Sequence, residues 1–274
     1  MTKLLHRRPI VLSTHGGIFH TPSLALLKQA YFFGLQRLLM KRVDIVAACS
    51  RDDEMLFRRV ASRVTLLENA IDAERFLLLP LNRKVPGRCL YAGRLSPNKG
   101  LLQLLHAFAR AAAVRSQCHL RLVGRDVDGC RAPLEQAANR LGVAARITFV
   151  GEVSDEALTQ EFEAAELFLS ASRYEGFGLS ALEAKAAGCR LVLHSNAAFK
   201  QLFANDRQVR LVDFDDAAAA CDAIIEALKP VDQSALQSSR HEVAVYSWQR
   251  KLSDWLSLYE QLARPAQEST SLAH

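Results

Sequence analysis

At 274 residues, half of them hydrophobic and few aromatic, the chain is long enough to bury a sizeable core in one or two α/β domains. No stretch approaches the run of about 18 apolar residues that a membrane span needs, and the opening "MTKLLHRRPIVLSTHGG" lacks the apolar centre and small-residue cleavage site of a signal peptide. The six cysteines form no CxxC pair, which argues for small buried thiols in a reduced cytoplasm, while the formal charge of +6 suits an anionic ligand, a membrane surface or plain solubility.

In chain order, "IVLST" at Ile10–Thr14 reads as a buried strand that stops at "HGG". Residues 23–41 repeat apolar positions at helical spacing, with Leu24, Leu27, Tyr31, Leu35 and Leu38 on one face. "DIVAAC" is a second strand, "RDDEMLFRRVA" a short helix that Ser50 can cap with Asp52 and Asp53 in its first turn, and "RVTLLEN" a third strand. The Pro- and Gly-containing "PLNRKVPGR" (Pro80–Arg88) reads as a linker. After it come the strand "RCLYAGR", the helix "NKGLLQLLHAFARAAA", the strand "CHLRLVGRD", the helix "APLEQAANRLG" and the strand "RITFVGEV". A helix "SDEALTQEFEAA" capped by Ser154 follows, then "LFLSAS" as a strand, "GLSALEAKAAG" as a helix and "CRLVLHS" as a strand. The "AAAA" run near Ala217 is merely helix-favouring, and "SWQRKLSDWLSLYEQLA" is a last long helix before a polar tail expected to be disordered. Strands and helices that alternate in this way build a parallel sheet with helices on both faces, and ligands bind at the carboxyl ends of its strands. Five strands follow the linker and only three precede it, so the first domain is expected to be a shortened one.

Two loops carry chemistry. In "YAGRLSPNKG" a strand ends at Gly93, Arg94 follows, and Lys99 stands at a helix start. Cations beside a helix N-terminus suit phosphate, although solvated surface cations are the plain alternative and the Walker spacing is absent. In "RYEGFGLSALEAKAAG" a helix begins near Gly178, with Glu175 ahead of it, Glu183 about a turn inside, and Leu179, Leu182 and Ala186 giving it a buried side. The N–H groups of Phe177, Gly178 and Leu179 lie before the helix can pair them, so an anion fits there, and the flanking carboxylates can accept sugar or ribose hydroxyls. A dinucleotide oxidoreductase fits poorly because "LVGRDVDG" lacks GxGxxG, and nucleic acid fits poorly because the basic residues are scattered with no aromatic platform.

"GRLSPNKG" followed by "YEGFGLSALEAKAAG", together with "ENAID" at 68–72 and the terminal "YSW…W…Y" helix, resembles the retaining GT-B glycosyltransferases of family 4 over nearly the whole chain. "STHGGIFHT" looks most like the exopolysaccharide α-mannosyltransferases that move mannose from GDP-mannose to a diphosphoprenyl-linked cellobiose. The resemblance implies an α/β GT-B fold. It divides the chain into a partial Rossmann-like acceptor-side domain at 1–82, a nucleotide-sugar-binding Rossmann-like domain at 83–240, a helix at 241–264 returning to the first domain, and the tail at 265–274. It implies that Arg94 and Lys99 bind the leaving diphosphate, that Glu175 contacts the donor sugar and Glu183 the ribose, and that backbone around Gly93 and Phe177–Leu179 touches sugar and phosphate. Val153 then lies by the base and His15 is the first-domain active-site histidine; His20 and His194 remain structural. No metal and no cofactor are implied, since the nucleotide sugar is a substrate; the partner is a lipid-diphosphate-linked saccharide.

The chain departs from the family in its short first domain and in "SNAAFKQLF", which replaces the small turn usual after the last motif. A truncated, weakly active or inactive nucleotide-sugar binder that needs a partner half is therefore the alternative function. Helix 23–42, apolar with basic ends, reads either as buried in the first domain or as peripheral on the inner face of the plasma membrane.

Overall fold

The computed structural model describes residues 8–15, 27 and 30–263. The first sheet is three short parallel strands, β1 (Val11–Ser13), β2 (Ile45–Ala48) and β3 (Val64–Leu66), in that order across the sheet. A π-helical turn at Tyr31–Gln36 runs into α1 (Arg37–Met40) ahead of β2, and α2 (Arg51–Phe57) precedes β3. β2 is buried throughout, as a central parallel strand covered on both faces must be. Ser50 caps α2 by accepting the Asp53 N–H at 3.3 Å, and Asp52, Asp53 and Glu54 favour the positive end of the helix.

α3 (Ala73–Leu77) leads to a second sheet of six parallel strands: β4 (Val85–Ala92), β5 (His119–Val123), β6 (Ile147–Gly151), β7 (Ala165–Ser170), β8 (Arg190–His194) and β9 (Val209–Val212). Each strand is followed by a helix: α4 (Leu101–Val114), α5 (Arg131–Arg140), α6 (Asp155–Ala164), α7 (Leu179–Ala186), α8 (Ala197–Phe203) and α9 (Ala217–Ala227). Across the sheet the order is β6-β5-β4-β7-β8-β9. The chain therefore winds outward one way from β4 and the other way from β7, and a crevice opens between the carboxyl ends of those two neighbours. Leu104, Leu105 and Phe108 of α4 and Ile224 of α9 cover one face; Phe76 of α3, Phe162 of α6, Leu182 of α7 and Phe199 of α8 cover the other. Burying each such side chain is worth about 1.5–3 kcal/mol, enough to fix which loops meet above the sheet.

α10 (Gln233–His241) and a short turn at Glu242–Tyr246 bring the chain back, and α11 (Trp248–Ala263) lies on the first sheet, with Leu258, Trp255 and Leu262 packed on Ile45, Ala47 and Leu67. The two passages between the sheets run side by side. Ile71 N–H donates to Tyr246 O at 2.9 Å, Trp248 N–H to Ile71 O at 3.2 Å, and Lys251 pairs with Glu68 at 2.9 Å. Arg240 is buried beside them and donates to Ala186 O (2.8 Å), Leu79 O (2.9 Å) and Phe76 O (2.6 Å), tying the ends of α7 and α3 together.

Several expectations need correction. Leu27, Tyr31 and Leu38 are exposed; among the described residues of this stretch, Phe32, edge-on to Phe57 at 5.5 Å, and Met40 pack inward. Leu179 is exposed while Leu182 and Ala186 are buried, because α7 turns Leu179 to the crevice. β4 starts at Val85, inside the stretch read as a linker, and β9, α3, α8 and α10 were not anticipated. Leu24, His20, the start of helix 23–42 and the tail from 265 lie outside the described residues.

Candidate functional site

β4 ends where Gly93 N–H donates to Val123 O at 2.9 Å, and the loop beyond it is held by Tyr91, whose hydroxyl donates to Arg94 O at 2.8 Å, and by Leu95 N–H donating to Arg125 O at 2.9 Å. A turn at Pro97–Lys99 then reaches Gly100, which caps α4 with φ +61°; a Cβ there would stand 2.3 Å from Ala171 O, just past β7. The two loops therefore touch, and Arg173 N–H donates across to Asn98 O at 3.3 Å. Lys99 Nζ lies 2.7 Å from Glu175 Oε1, and both side chains are largely shielded from solvent. Arg94 is exposed on the same loop; its charge and that of Glu175 both act on the Tyr91 phenol, whose pKa is raised by burial first and by Glu175 second, against a lowering pull from Arg94.

Beyond Glu175 the chain enters α7 through Gly178, at φ +100°. A Cβ there would meet the Phe199 ring at 2.9 Å, which is why the mouth of this helix sits so close to α8. Asn196 sets that contact: its side chain caps α8 by accepting the Phe199 N–H at 2.8 Å and donates to Ser172 O at 2.8 Å. Among the described residues, the N–H groups of Phe177, Gly178, Leu179 and Ser180 have no acceptor. The Phe177 ring is buried edge-on to Tyr246 at 5.8 Å, so this residue offers the site its backbone.

A cleft of about 370 Å³ opens in front of these amides, lined from the second domain by Glu175, Gly178, Leu179 and Glu183 and from the first by His15 and Asn69. Glu183 makes no hydrogen bond or ion pair among the described residues, and burial pushes its carboxyl pKa up to about 7, eased by Arg75 and reinforced by Asp155. His15 follows Thr14, whose hydroxyl donates to the buried Asp53 at 2.6 Å and accepts the Cys49 N–H at 3.2 Å; the His15 ring lies 3.4 Å from Ser13 Oγ.

The structure thus brings His15, Glu175, Phe177, Gly178, Leu179 and Glu183 to one cleft, and joins Lys99 to it through Glu175. Gly93 and Arg94 stand on the adjoining loop and do not line the cleft. Val153 also stands outside it, at the end of β6, packed against the core on the α7 side; Asp155, two residues on, is close enough to act on Glu183. Asn69, Tyr91, Arg75 and Asn196 were missed. Asn196 had a local signal as an Asn ahead of a helical run, and Asn69 and Tyr91 stood inside the quoted "ENAID" and "YAGRLSPNKG" without being singled out. His194 Nδ1 accepts the Phe214 N–H at 3.2 Å, and burial lowers its pKa. Among the described residues no three His, Cys, Asp or Glu side chains are placed to hold a metal ion, and no helix is long and apolar enough to cross a membrane.

A profile of the family described as "Glycosyl transferases group 1" matches residues 81–240. The chain is 32% identical over 266 residues to the GDP-mannose:cellobiosyl-diphosphopolyprenol alpha-mannosyltransferase of Xanthomonas campestris, covering 94% of this chain and 69% of that one. It is 30% identical over 274 residues to the protein of the same name from Komagataeibacter xylinus, covering 98% and 69%. Among solved structures, Anabaena HepE in complex with UDP-glucose superposes with a TM-score of 0.79 at 20% identity, over 94% of this chain and 74% of that one. The six-stranded sheet and the smaller three-stranded sheet are the two Rossmann-like halves of a GT-B fold.

Proposed function

The chain belongs to the glycosyl transferases group 1 family and is a GT-B glycosyltransferase that uses a nucleotide sugar; on that premise we propose that it moves mannose from GDP-mannose, with retention, onto a lipid-diphosphate-linked oligosaccharide at the cytoplasmic face of a membrane. The observation that carries this reading is the contact of the two motif loops in the β4–β7 crevice, where Lys99 meets Glu175 beside the unpaired amides of α7. The names of the relatives from Xanthomonas campestris and Komagataeibacter xylinus supply the donor and acceptor.

In the proposed reaction the donor diphosphate lies against Lys99, Arg94 and the α7 amides. Glu175 holds the sugar, Glu183 the ribose, and Val153 flanks the base. The bond from the anomeric carbon to the diphosphate breaks, leaving an oxocarbenium-like sugar. The acceptor hydroxyl attacks from the same face and gives its proton to an oxygen of the departing phosphate. His15 reaches the cleft from the first domain, on the side where the acceptor enters. The protein's share is electrostatic, with cations and fixed N–H donors aimed at charge that builds on the diphosphate.

The test is incubation of the chain with GDP-mannose and a prenyl-diphosphate cellobiose, separating the products. Acceptor-dependent release of GDP together with an α-linked trisaccharide is expected. Turnover with UDP-glucose in place of GDP-mannose overturns the donor assignment. Thermal stabilisation by GDP-mannose with no turnover overturns the enzyme reading in favour of a binding protein that needs a partner half.

A further inference from the structure

Besides His15, the first domain sends Asn69 into the cleft. Asn69 is half-buried, and its side-chain amide has no hydrogen-bond partner among the described residues. The chain on either side of it is tied down. Leu67 N–H donates to Ala48 O at 2.8 Å, and the Leu67 side chain packs with Leu258 of α11. Glu68 pairs with Lys251 of α11 at 2.9 Å, both side chains largely shielded from solvent. Ile71 is bonded through its backbone to Tyr246 and Trp248, and the Asp72 carboxylate caps α3 by accepting the Arg75 N–H at 3.4 Å. Neighbours held in this way set the Asn69 backbone before any ligand arrives, so little ordering is left for binding to cost.

Lys251 also reaches the opposite wall. Its ammonium stands 5.5 Å from the centre of the Tyr246 ring, and Tyr246 meets the Phe177 ring edge-on at 5.8 Å. Phe177 opens the run of unpaired N–H groups that leads into α7. One lysine therefore stands behind both walls, behind Asn69 through Glu68 and behind the α7 amides through Tyr246 and Phe177. The chemistry of the two walls is complementary. Glu175 and Glu183, when ionised, can only accept hydrogen bonds, whereas a hydroxyl both donates and accepts. A neutral side-chain amide adds donors without adding charge. Phosphate is served better by Lys99 and the backbone amides, so the group that Asn69 suits is an uncharged hydroxyl.

We infer that Asn69 is a sugar ligand: its amide donates to a hydroxyl of the saccharide held in the cleft, and the Lys251–Glu68 pair is what positions it. The hydroxyl belongs either to the hexose of the donor or to the acceptor saccharide, and the two sources are told apart below. The inference deepens the proposed transfer and rests on that reading for the cleft's being the place where sugars meet. It does not rest on which nucleotide carries the sugar.

The test is calorimetry of the full chain with GDP and with GDP-mannose, for the parent and Asn69→Ala, beside the acceptor KM for prenyl-diphosphate cellobiose. GDP should bind both proteins equally. A fall in GDP-mannose affinity of about threefold to tenfold, the worth of one neutral hydrogen bond, assigns the hydroxyl to the donor hexose. An acceptor KM raised by about the same factor, with both nucleotide affinities unchanged, assigns it to the acceptor. Equal losses for GDP and GDP-mannose overturn the inference, and so does no change in any of the three. A urea midpoint equal to the parent's certifies the fold; if Asn69→Ala fails there, Asn69→Gln, which keeps the amide but moves it by one methylene, should show the same selective loss. Glu68→Ala should also show it in the parent and add nothing once Asn69 is alanine; additive losses overturn the positioning through Glu68. If the parent binds UDP-glucose and not GDP-mannose, the donor assignment alone fails, and the comparison is read with UDP and UDP-glucose. A parent that binds no nucleotide sugar overturns both.

Discussion

Lys99 and Glu175 neutralise each other at 2.7 Å, so a diphosphate can claim the lysine only by drawing it off the carboxylate. Glu175 is then free to accept hydroxyls at the moment a sugar arrives with that diphosphate. Lys99→Ala should remove roughly 3–4 kcal/mol of transition-state stabilisation, by analogy with loss of one oxyanion donor, which is over about a hundredfold in kcat/KM; a rate within a few-fold of the parent would remove Lys99 from this role. Glu175→Gln should separate two readouts, tightening free GDP by about fivefold as the competing ion pair disappears while transfer falls. Calorimetry beside a transfer assay checks both.

Glu183 gives the site a pH dependence. Its carboxyl is held up to about 7 by burial, above its ordinary range, so the folded protein keeps a proton that the unfolded chain releases. Its contribution therefore falls as pH rises from the ordinary carboxylate range towards 7, then levels off. A ribose hydroxyl donates to the ionised form, so donor affinity should rise through the same window. Glu183→Gln should flatten both the stability profile and the affinity profile; persistence of the slopes in that variant would sink the assignment. The phosphodiester oxygens of a nucleotide sugar do not titrate there and add no slope of their own. Neither the Lys99–Glu175 contact nor the burial of Glu183 is legible in the sequence, which shows residue types and spacing but not which charges meet or lose water.

At the scale of elements, the long periodic runs were legible: α4 places Leu101, Leu104, Leu105 and Phe108 inward at helical spacing, and each predicted strand of the second domain formed. What escaped was short or ambiguous. β9 offers four residues and α3 five, each too brief for periodicity to show. Leu27, Tyr31 and Leu38 are exposed, and periodicity does not say whether apolar residues at helical spacing meet the core or the outside. The closeness of the two motif loops depends on glycine. Gly100→Ala would force a left-handed backbone at φ +61° and a Cβ within 2.3 Å of Ala171 O, and should cost about 2–4 kcal/mol in urea unfolding. Loss of the Lys99–Glu175 contact should accompany it, because Gly100 sets the step from that loop into α4.

For the whole molecule, the alternation of strands and helices was enough to expect a doubly wound domain, but the sequence does not say that β4 and β7 are neighbours. That adjacency, made by the reversal of winding, unites loops far apart in the chain. The tie between α3 and α7 was equally invisible: among the described residues Arg240 has no acidic partner, and it donates to the carbonyls of Ala186, Leu79 and Phe76. Arg240→Leu would strand those acceptors and should cost about 3–4 kcal/mol. If Arg240 also fixes how the halves meet, transfer should fall more than donor binding; thermal unfolding with a binding and a transfer assay would show the split.

The strand order has an evolutionary consequence. The strands between the two motif loops, β5 and β6, lie to one side of the β4–β7 pair, and the strands after α7, β8 and β9, lie to the other. Each outer pair of strands can drift without prising the shared seam apart, provided α4 and α9 keep their packing across one face. A lineage built this way can try new nucleotides by re-tailoring one outer pair while inheriting intact the grip at the centre.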